Sequence, residues 1–236
     1  MQTYSGKTAL VTGATRGVGK IIAEHFLAGG AQVIGFARGE ASLEDGAYRH
    51  VQVDLADPAA IQKAFLGLHG QISSLDIVVN NAAVLTSQYA MIMPPAAAQA
   101  MVNVNLLAPF IVSREAAKFM RKTKWGRIIN IGSMAASLEP MGDSVYAATK
   151  AGLATLANVM AKEFGPMNVT CNTLAITAID SDMLSQLPRD KIEAIIAGLP
   201  APRFATAEDI LNVVDFFTAE ASGYITAQTL YLGGVN

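Results

Sequence analysis

The sequence predicts an α/β fold: one doubly wound domain over residues 1–236, built on a parallel seven-stranded sheet with helices on both faces. Three observations carry that reading. Seven short apolar runs alternate with segments of helical periodicity, the pattern of βαβ units. The runs are nearly continuous in hydrophobic residues, as strands covered on both faces are. Glycines follow the first run at once and open the first helical segment.

The elements follow in order. Residues 8–11 form a β-rich run, followed by glycines at 13, 17 and 19. Residues 20–27 have helical spacing through Ile21, Ile22, Phe26 and Leu27, and Gly29-Gly30 ends that helix. Residues 32–36 and 50–53 read as the second and third strands. Pro58 follows Asp57 at a helix start, with Ile61, Ala64, Phe65 and Leu68 on one side. Residues 75–79 are a buried strand, 95–122 helical, 127–131 a strand and 145–164 helical. A sixth strand spans 169–174. Residues 176–203 hold Pro188, Pro200 and Pro202 and read as a segment covering a substrate. A helix at 208–217 and a strand at 229–232 close the chain.

Composition excludes several classes. The chain is 52% hydrophobic and 15% charged, enough for a large core and unlike a disordered chain. A net charge of −2 argues against a nucleic-acid partner. Cys171 is the only cysteine, so no internal disulfide forms, as suits a reducing cytoplasm. The start, MQTYSGKTALVTG, lacks the pattern of a secretory signal. No tract offers about 18 uninterrupted apolar residues, so no membrane partner is expected.

Two motifs carry chemistry. In "TGATRGVG" (12–19), glycines permit a tight turn and close approach of a pyrophosphate to backbone N–H groups at a helix start. In "SVYAATK" (144–150), Tyr146 and Lys150 share a helix face. A free tyrosine titrates near 10, and a neighbouring ammonium favours the phenolate, so the pair is expected to make Tyr146 a usable acid or base.

With the spacing G-x-x-x-G-x-G, the chain resembles the short-chain dehydrogenase/reductase family, from Gly6 almost to the C-terminus. The resemblance rests on TGATRGVG, Asp54 after the third strand, NNAA (80–83), Asn105, Ser133 and YAATK (146–150). "GRIINIGS" (126–133) and "PRFATAEDI" (202–210) are similar to the 3-oxoacyl-thioester (acyl-carrier-protein) reductase branch. The resemblance implies a Rossmann-type domain and a catalytic set of Ser133, Tyr146, Lys150 and Asn105. Tyr146 would give a proton to a substrate carbonyl oxygen, and Ser133 would hydrogen-bond that oxygen. Lys150 would also bind the nicotinamide ribose. Asn105 would hold a relay water through its main chain, with Asn103 a competitor for that role.

The resemblance also assigns cofactor contacts: Gly13, Thr15, Arg16, Gly17, Val18 and Gly19 in the first turn; Asp54 and Leu55 at the adenine; Asn81, Ala82 and Ala83 beside the cofactor; Tyr146 and Lys150; and Ile176, Thr177 and Ser181 at the nicotinamide. Asn80 would brace the central strand. Ala83 and the pair Ile176-Thr177 stand where relatives have Gly and Pro-Gly. Thr177 is therefore expected at negative φ, with Ile176 as an apolar wall. An acidic residue ending the second strand would bind the ribose 2′-OH of NAD. Ala37 holds that position and Arg38 follows, so with Arg16 the expected cofactor is NADP (NADPH).

The expected substrate is a small-molecule or thioester-linked carbonyl. Candidate surrounds are Met91, Ile92, Met93, Met134, Leu138, Met141, Ile179, Met183, Leu184 and Leu187, which serve equally well as core. Lys122, Lys124 and Arg127 are candidate docking cations for an acyl carrier. His25, His50 and His69 read as surface or helix-end residues, and no metal site is expected. The long helices at 95–122 and 145–164 imply a homo-oligomer, a tetramer by resemblance. Two alternatives stay open: an NAD-dependent alcohol dehydrogenase on this fold, and a non-catalytic nucleotide-binding protein.

Overall fold

The computed structural model describes residues 2–179 and 189–235. Seven parallel strands form one sheet: β1 (Thr8–Thr12), β2 (Gln32–Ala37), β3 (Tyr48–Gln52), β4 (Ile77–Asn80), β5 (Gly126–Ser133), β6 (Val169–Ile176) and β7 (Thr229–Tyr231). Their order is β3-β2-β1-β4-β5-β6-β7. The strand order reverses between β1 and β4, and a ligand crevice forms beyond the carboxyl ends of strands at such a switch. Strand lengths differ from the expected runs at their ends: β3 begins earlier, at Tyr48, and β5 and β6 run on to Ser133 and Ile176. These last two lie opposite each other in the ladder.

Helices α1 (Gly17–Ala28), α2 (Pro58–Leu68), α3 (Pro95–Val102), α4 (Ala108–Thr123), α5 (Ala135–Leu138), α6 (Ser144–Phe164), α7 (Arg189–Ala197) and α8 (Ala207–Thr218) complete the described elements. One apolar cluster joins Leu10, Ile34, Val78 and Ile128 to α2, α4 and α6. A second joins Val11, Val79, Ile129 and Leu174 to α1 and α8. Alternate strand residues thus feed opposite faces, and each fully buried large aliphatic or aromatic side chain contributes about 1.5–3 kcal/mol.

Helix starts follow local chemistry. Asp57 Oδ1 accepts from the Ala59 N–H (2.8 Å), with Pro58 in the first turn of α2. Thr206 and Asp209 form a reciprocal capping box at α8, and Arg203 Nη1 and Nη2 donate to Asp209 at 2.6 and 2.8 Å. The expected helix at 95–122 is interrupted: α3 and α4 are joined by a π turn, Asn103–Leu107. Together they make a helix, Pro95–Thr123, long and apolar enough to cross a membrane. Much of its α4 part is buried against the sheet, through Ile111, Val112, Ala116 and Met120.

Two polar residues are more buried than a surface reading implies. His25 lies in the last turn of α1, as a helix-end residue, and is buried: its Nε2 lies 2.6 Å from Asp215 Oδ1, which also accepts from the Tyr4 hydroxyl (2.6 Å). Arg127 is 1% exposed and unavailable for docking. Its guanidinium donates to the carbonyls of Gly126, Ala219 and Glu220 and lies 4.4 Å from the Trp125 ring centroid. Desolvation is tolerable there because the carbonyls satisfy its donors. Lys122 and Lys124 sit before the start of β5, while the catalytic candidate Ser133 ends it. Eight strand residues span about 26 Å, so these lysines lie at the wrong edge of the sheet to flank the site.

Candidate active site

The candidate residues gather beyond the carboxyl ends of the strands. After β1, Gly13 and Gly17 adopt positive φ (70° and 53°). A Cβ on Gly19 would lie 2.2 Å from the Gly13 carbonyl oxygen, so only glycine lets α1 start this close beneath the turn. The Gly13 N–H donates to Phe36 O (2.7 Å), joining the turn to the end of β2. Thr12 latches β4: its Oγ1 accepts from the N–H groups of Asn81 (2.9 Å) and Ala82 (3.0 Å), and Asn81 Nδ2 donates to Thr12 O (3.0 Å). Thr15 and Val18 are partly buried in the turn, and Ala83 is partly buried after β4.

The chain's own residues fit a dinucleotide. The N-cap of α1 is Arg16, in extended backbone; it makes no side-chain cap, and the first turn holds no acidic residue. Its first N–H groups are thus free of a side-chain acceptor and suit a pyrophosphate. A Cβ on Gly17 would meet nothing within 4 Å, so the turn opens outward. Arg16, Arg38 and Asp54 are exposed, while Ala37 is 6% exposed. Leu55 differs from expectation. It is buried in the cluster below α2 and α4, so its side chain is core and only its main chain is left for an adenine.

At the end of β5, Ser133 Oγ accepts from the Ala135 N–H (3.1 Å), and its hydroxyl stands beside the Tyr146 phenol, where it favours the phenolate. Tyr146 is 8% exposed and Lys150 4%. Lys150 Nζ donates to Ile131 O (2.7 Å) and lies 5.8 Å from the Tyr146 ring centroid. Burial draws the Lys150 ammonium down to about 8. The expected lowering of the Tyr146 pKa is not what this state has. Burial raises it, the Ser133 hydrogen bond opposes that rise, and the Asp143 charge adds to it. Burial is the largest cause, and the Lys150 ammonium is engaged by a strand carbonyl.

Asn105 lies in the π turn and is fully buried. Its Oδ1 accepts from Val84 N (2.8 Å), and its Nδ2 donates to Val84 O (2.9 Å) and Thr149 Oγ1 (3.3 Å). Thr149 Oγ1 in turn donates to Tyr146 O (2.8 Å). The Asn105 side chain is thereby committed, which leaves main chain for a relay. Asn103 is instead partly exposed and accepts from Gln99 Nε2 (2.8 Å). Thr149 was missed in the sequence, although it precedes Lys150 in the same motif. Asn80 Nδ2 braces the sheet by donating to Asn130 Oδ1 (2.9 Å) and Ser113 Oγ (3.0 Å).

Beyond β6, Thr177 is buried and absent from the non-glycine residues with positive φ, so its stiff side chain is carried without left-handed strain. Ile176 leans on the cluster beneath α1 and α8, and its carbonyl accepts from Met134 N (2.9 Å). Of the apolar candidates, Met91, Ile92 and Met141 are strongly exposed and Leu138 is 41% exposed. Gln88 N donates to Gly142 O (2.8 Å), holding their two loops together. Met93 packs beside Tyr146, Met134 against Ala178, Ile192 and Ile196, and Ile179 against the core. Ser181, Met183, Leu184 and Leu187 lie outside the described residues. Among the described residues, no group of three or more His, Cys, Asp or Glu is placed to hold a metal ion.

The short chain dehydrogenase family model matches residues 7–192. The chain belongs to the short-chain dehydrogenase family. As a member it is an oxidoreductase. It is 34% identical to the 3-oxoacyl-[acyl-carrier-protein] reductase of Salmonella typhimurium, over 98% of each chain. It is 35% identical to the Escherichia coli enzyme of that name, over 98% of this chain and 97% of the relative. Among solved structures, a Beutenbergia cavernae protein assigned provisionally as an NAD(P)-dependent gluconate 5-dehydrogenase holds NADP at low occupancy. It superposes with a TM-score of 0.92 at 29% identity, covering 98% of this chain and 97% of that one. A provisional gluconate dehydrogenase from Agrobacterium tumefaciens gives 0.89 at 28% identity, covering 98% and 96%.

The buried Lys150 links stability to pH. Below about 8 it is charged in the folded and unfolded chain, and the cost of burial is fully present. From there to its ordinary value of 10.5, the unfolded chain holds more protons and stability rises with pH. The depression corresponds to about 3 kcal/mol. Urea unfolding of wild type and Lys150→Met is therefore expected to show wild type gaining about 3 kcal/mol on the variant between about pH 7.5 and about pH 10.5. A pH-independent difference contradicts the buried ammonium.

Proposed function

We propose that this chain is an NADPH-dependent carbonyl reductase that converts an apolar ketone, with a 3-oxoacyl thioester the leading class, to a secondary alcohol. The observation that carries the proposal is the Ser133–Tyr146–Lys150 group at the carboxyl end of β5, with Lys150 buried and held by Ile131 O. A bound nicotinamide supplies the hydride. Tyr146 gives its proton to the carbonyl oxygen, and its burial keeps the phenol protonated until substrate arrives. Ser133 Oγ, held by the Ala135 N–H, donates to the same oxygen as charge develops. Lys150 would hold the ribose and return a proton to Tyr146, drawing it from solvent through a water held by the Asn105 main chain.

Arg16 and Arg38 take the 2′-phosphate, and Ala37 leaves room where a carboxylate would repel it. Exposed Met91, Ile92, Leu138 and Met141 form an apolar mouth. The names of the two reductases and the NADP in the Beutenbergia protein support this reading. The single thiol, Cys171, is buried and free, which fits a cytoplasmic setting. Val102, Leu107, Phe110 and Val159 are exposed on α3, α4, the π turn and α6, which supports assembly of identical copies through these helices, as a tetramer.

Turnover is followed by loss of NADPH absorbance with β-ketoacyl thioesters, cyclic ketones and quinones. Tyr146→Phe is expected to lower turnover on the order of 100-fold or more while NADPH binding holds. A variant retaining most of its turnover sinks the role. Ala37→Asp with Arg38→Ala is expected to move preference toward NADH, and a wild type that already prefers NADH contradicts the assignment. Light scattering at micromolar concentration is expected to show an oligomer. A species near 24.7 kDa refutes the assembly.

A further inference from the structure

The turn after β2 carries Arg38, and two side chains of β3, the edge strand, hold it. Backbone pairing of β2 with β3 ends where the Val53 N–H donates to Ala37 O (2.9 Å). The next two carbonyls are taken by side chains instead. Gln52 Nε2 donates to Arg38 O (2.8 Å), and His50 Nε2 lies 2.8 Å from Gly39 O. A carbonyl oxygen only accepts, so His50 Nε2 carries the proton of that bond. The other ring nitrogen, Nδ1, lies 3.5 Å from the Tyr48 hydroxyl. That hydroxyl stands over Gly35, where a Cβ would come within 2.0 Å of it.

Residues 53, 52 and 50 thus take the carbonyls of 37, 38 and 39 in turn. The main chain leaving β2 therefore doubles back along β3. His50 and Gln52 can both reach it because alternate strand residues share a face. From residue 38 to residue 44 no backbone–backbone hydrogen bond holds the chain, so these two side-chain bonds are its hydrogen-bonded anchors. Arg38 itself is exposed, and among the described residues its guanidinium has neither a hydrogen-bond nor an ion-pair partner. Its main chain is held and its charge is free. Arg16 is placed by a different contact, the Gly13 N–H on Phe36 O, which joins its turn to the end of β2.

We infer that Gln52 and His50 are positioning residues for cofactor choice: by holding the carbonyls of Arg38 and Gly39, they present the Arg38 guanidinium to the 2′-phosphate of NADPH. The inference rests on the reading of Arg38 as a partner of that phosphate. Neither side chain needs to touch the cofactor. A cation on a fixed turn gives up less freedom on binding than one on a loose turn. Because Arg16 is placed separately, loss of the two bonds should weaken the preference for NADPH without abolishing it.

The test titrates NADPH and NADH into the protein and reads both dissociation constants, so no ketone is needed. Gln52→Met and His50→Phe keep bulk and remove the donor. Each is expected to lower the preference for NADPH over NADH by about two- to tenfold, the range of one net hydrogen bond, chiefly through weaker NADPH binding. His50→Gln keeps a donor near the position of Nε2 and should restore most of the preference. On an Arg38→Ala background, Gln52→Met should change the preference no further. Folded Gln52→Met and His50→Phe variants with wild-type preference overturn the inference. So does the same loss on the Arg38→Ala background, since the two residues would then act elsewhere. Equal weakening of NADPH and NADH, the mark of general loosening, overturns it too. A wild type that binds NADH as tightly as NADPH, with NADPH binding unchanged in Arg38→Ala, removes the reading of Arg38 itself and the inference with it.

Discussion

A buried ammonium held by one strand carbonyl organises the candidate site. Lys150 Nζ reaches across from α6 to Ile131 O, two residues before Ser133. That bond fixes how far α6 slides along β5, and so sets Tyr146 beside the Ser133 hydroxyl. The cost of desolvating the charge is met by packing of α6 against the sheet through Ala157, Met160 and Ala161. The same burial draws Lys150 toward neutrality near 8 and raises Tyr146. The phenol and the ammonium are both shifted chiefly by exclusion of water.

Support for that arrangement is indirect and continuous. Asn105 grips both polar groups of the Val84 backbone and the Thr149 hydroxyl, and Thr149 holds the Tyr146 carbonyl. The π turn that carries Asn105 is the wide-turn irregularity often found at functional sites. On the other side, Thr12 ties the end of β1 to Asn81 and Ala82 after β4. The glycine turn after β1 and Ser133 at the end of β5 thus both lie at carboxyl ends of strands beside the switch point of the sheet.

The strands and long helices were legible because apolar period and glycine punctuation are local signals: 58–68 with its Asp57 cap, or the strand expected at 32–36 and found at Gln32–Ala37. Strand ends were less so. Extension of β5 to Ser133 depends on its partner β6, which the local pattern does not reveal. The site residues stood out as types at fixed spacing, but their electrostatics did not. Which way Lys150 points is decided by a carbonyl on another element. The burial of Arg127 and His25 was not legible because their partners, Ala219 and Asp215, are about ninety residues or more away. Leu55 read as a nucleotide contact, yet α2 and α4 close over it.

Thr177 and Ile176 are where this chain departs most from the resemblance that frames it, and the central claim meets its sharpest test there. The most direct measurement is a crystal structure of the chain with NADPH. The account predicts an ordered nicotinamide whose C4 faces the Tyr146 hydroxyl, with Ile176 beside it and Thr177 still at negative φ. Ile176 side-chain atoms in the nicotinamide position, with the ring disordered, would contradict it and leave a protein that binds nucleotide without reducing a ketone.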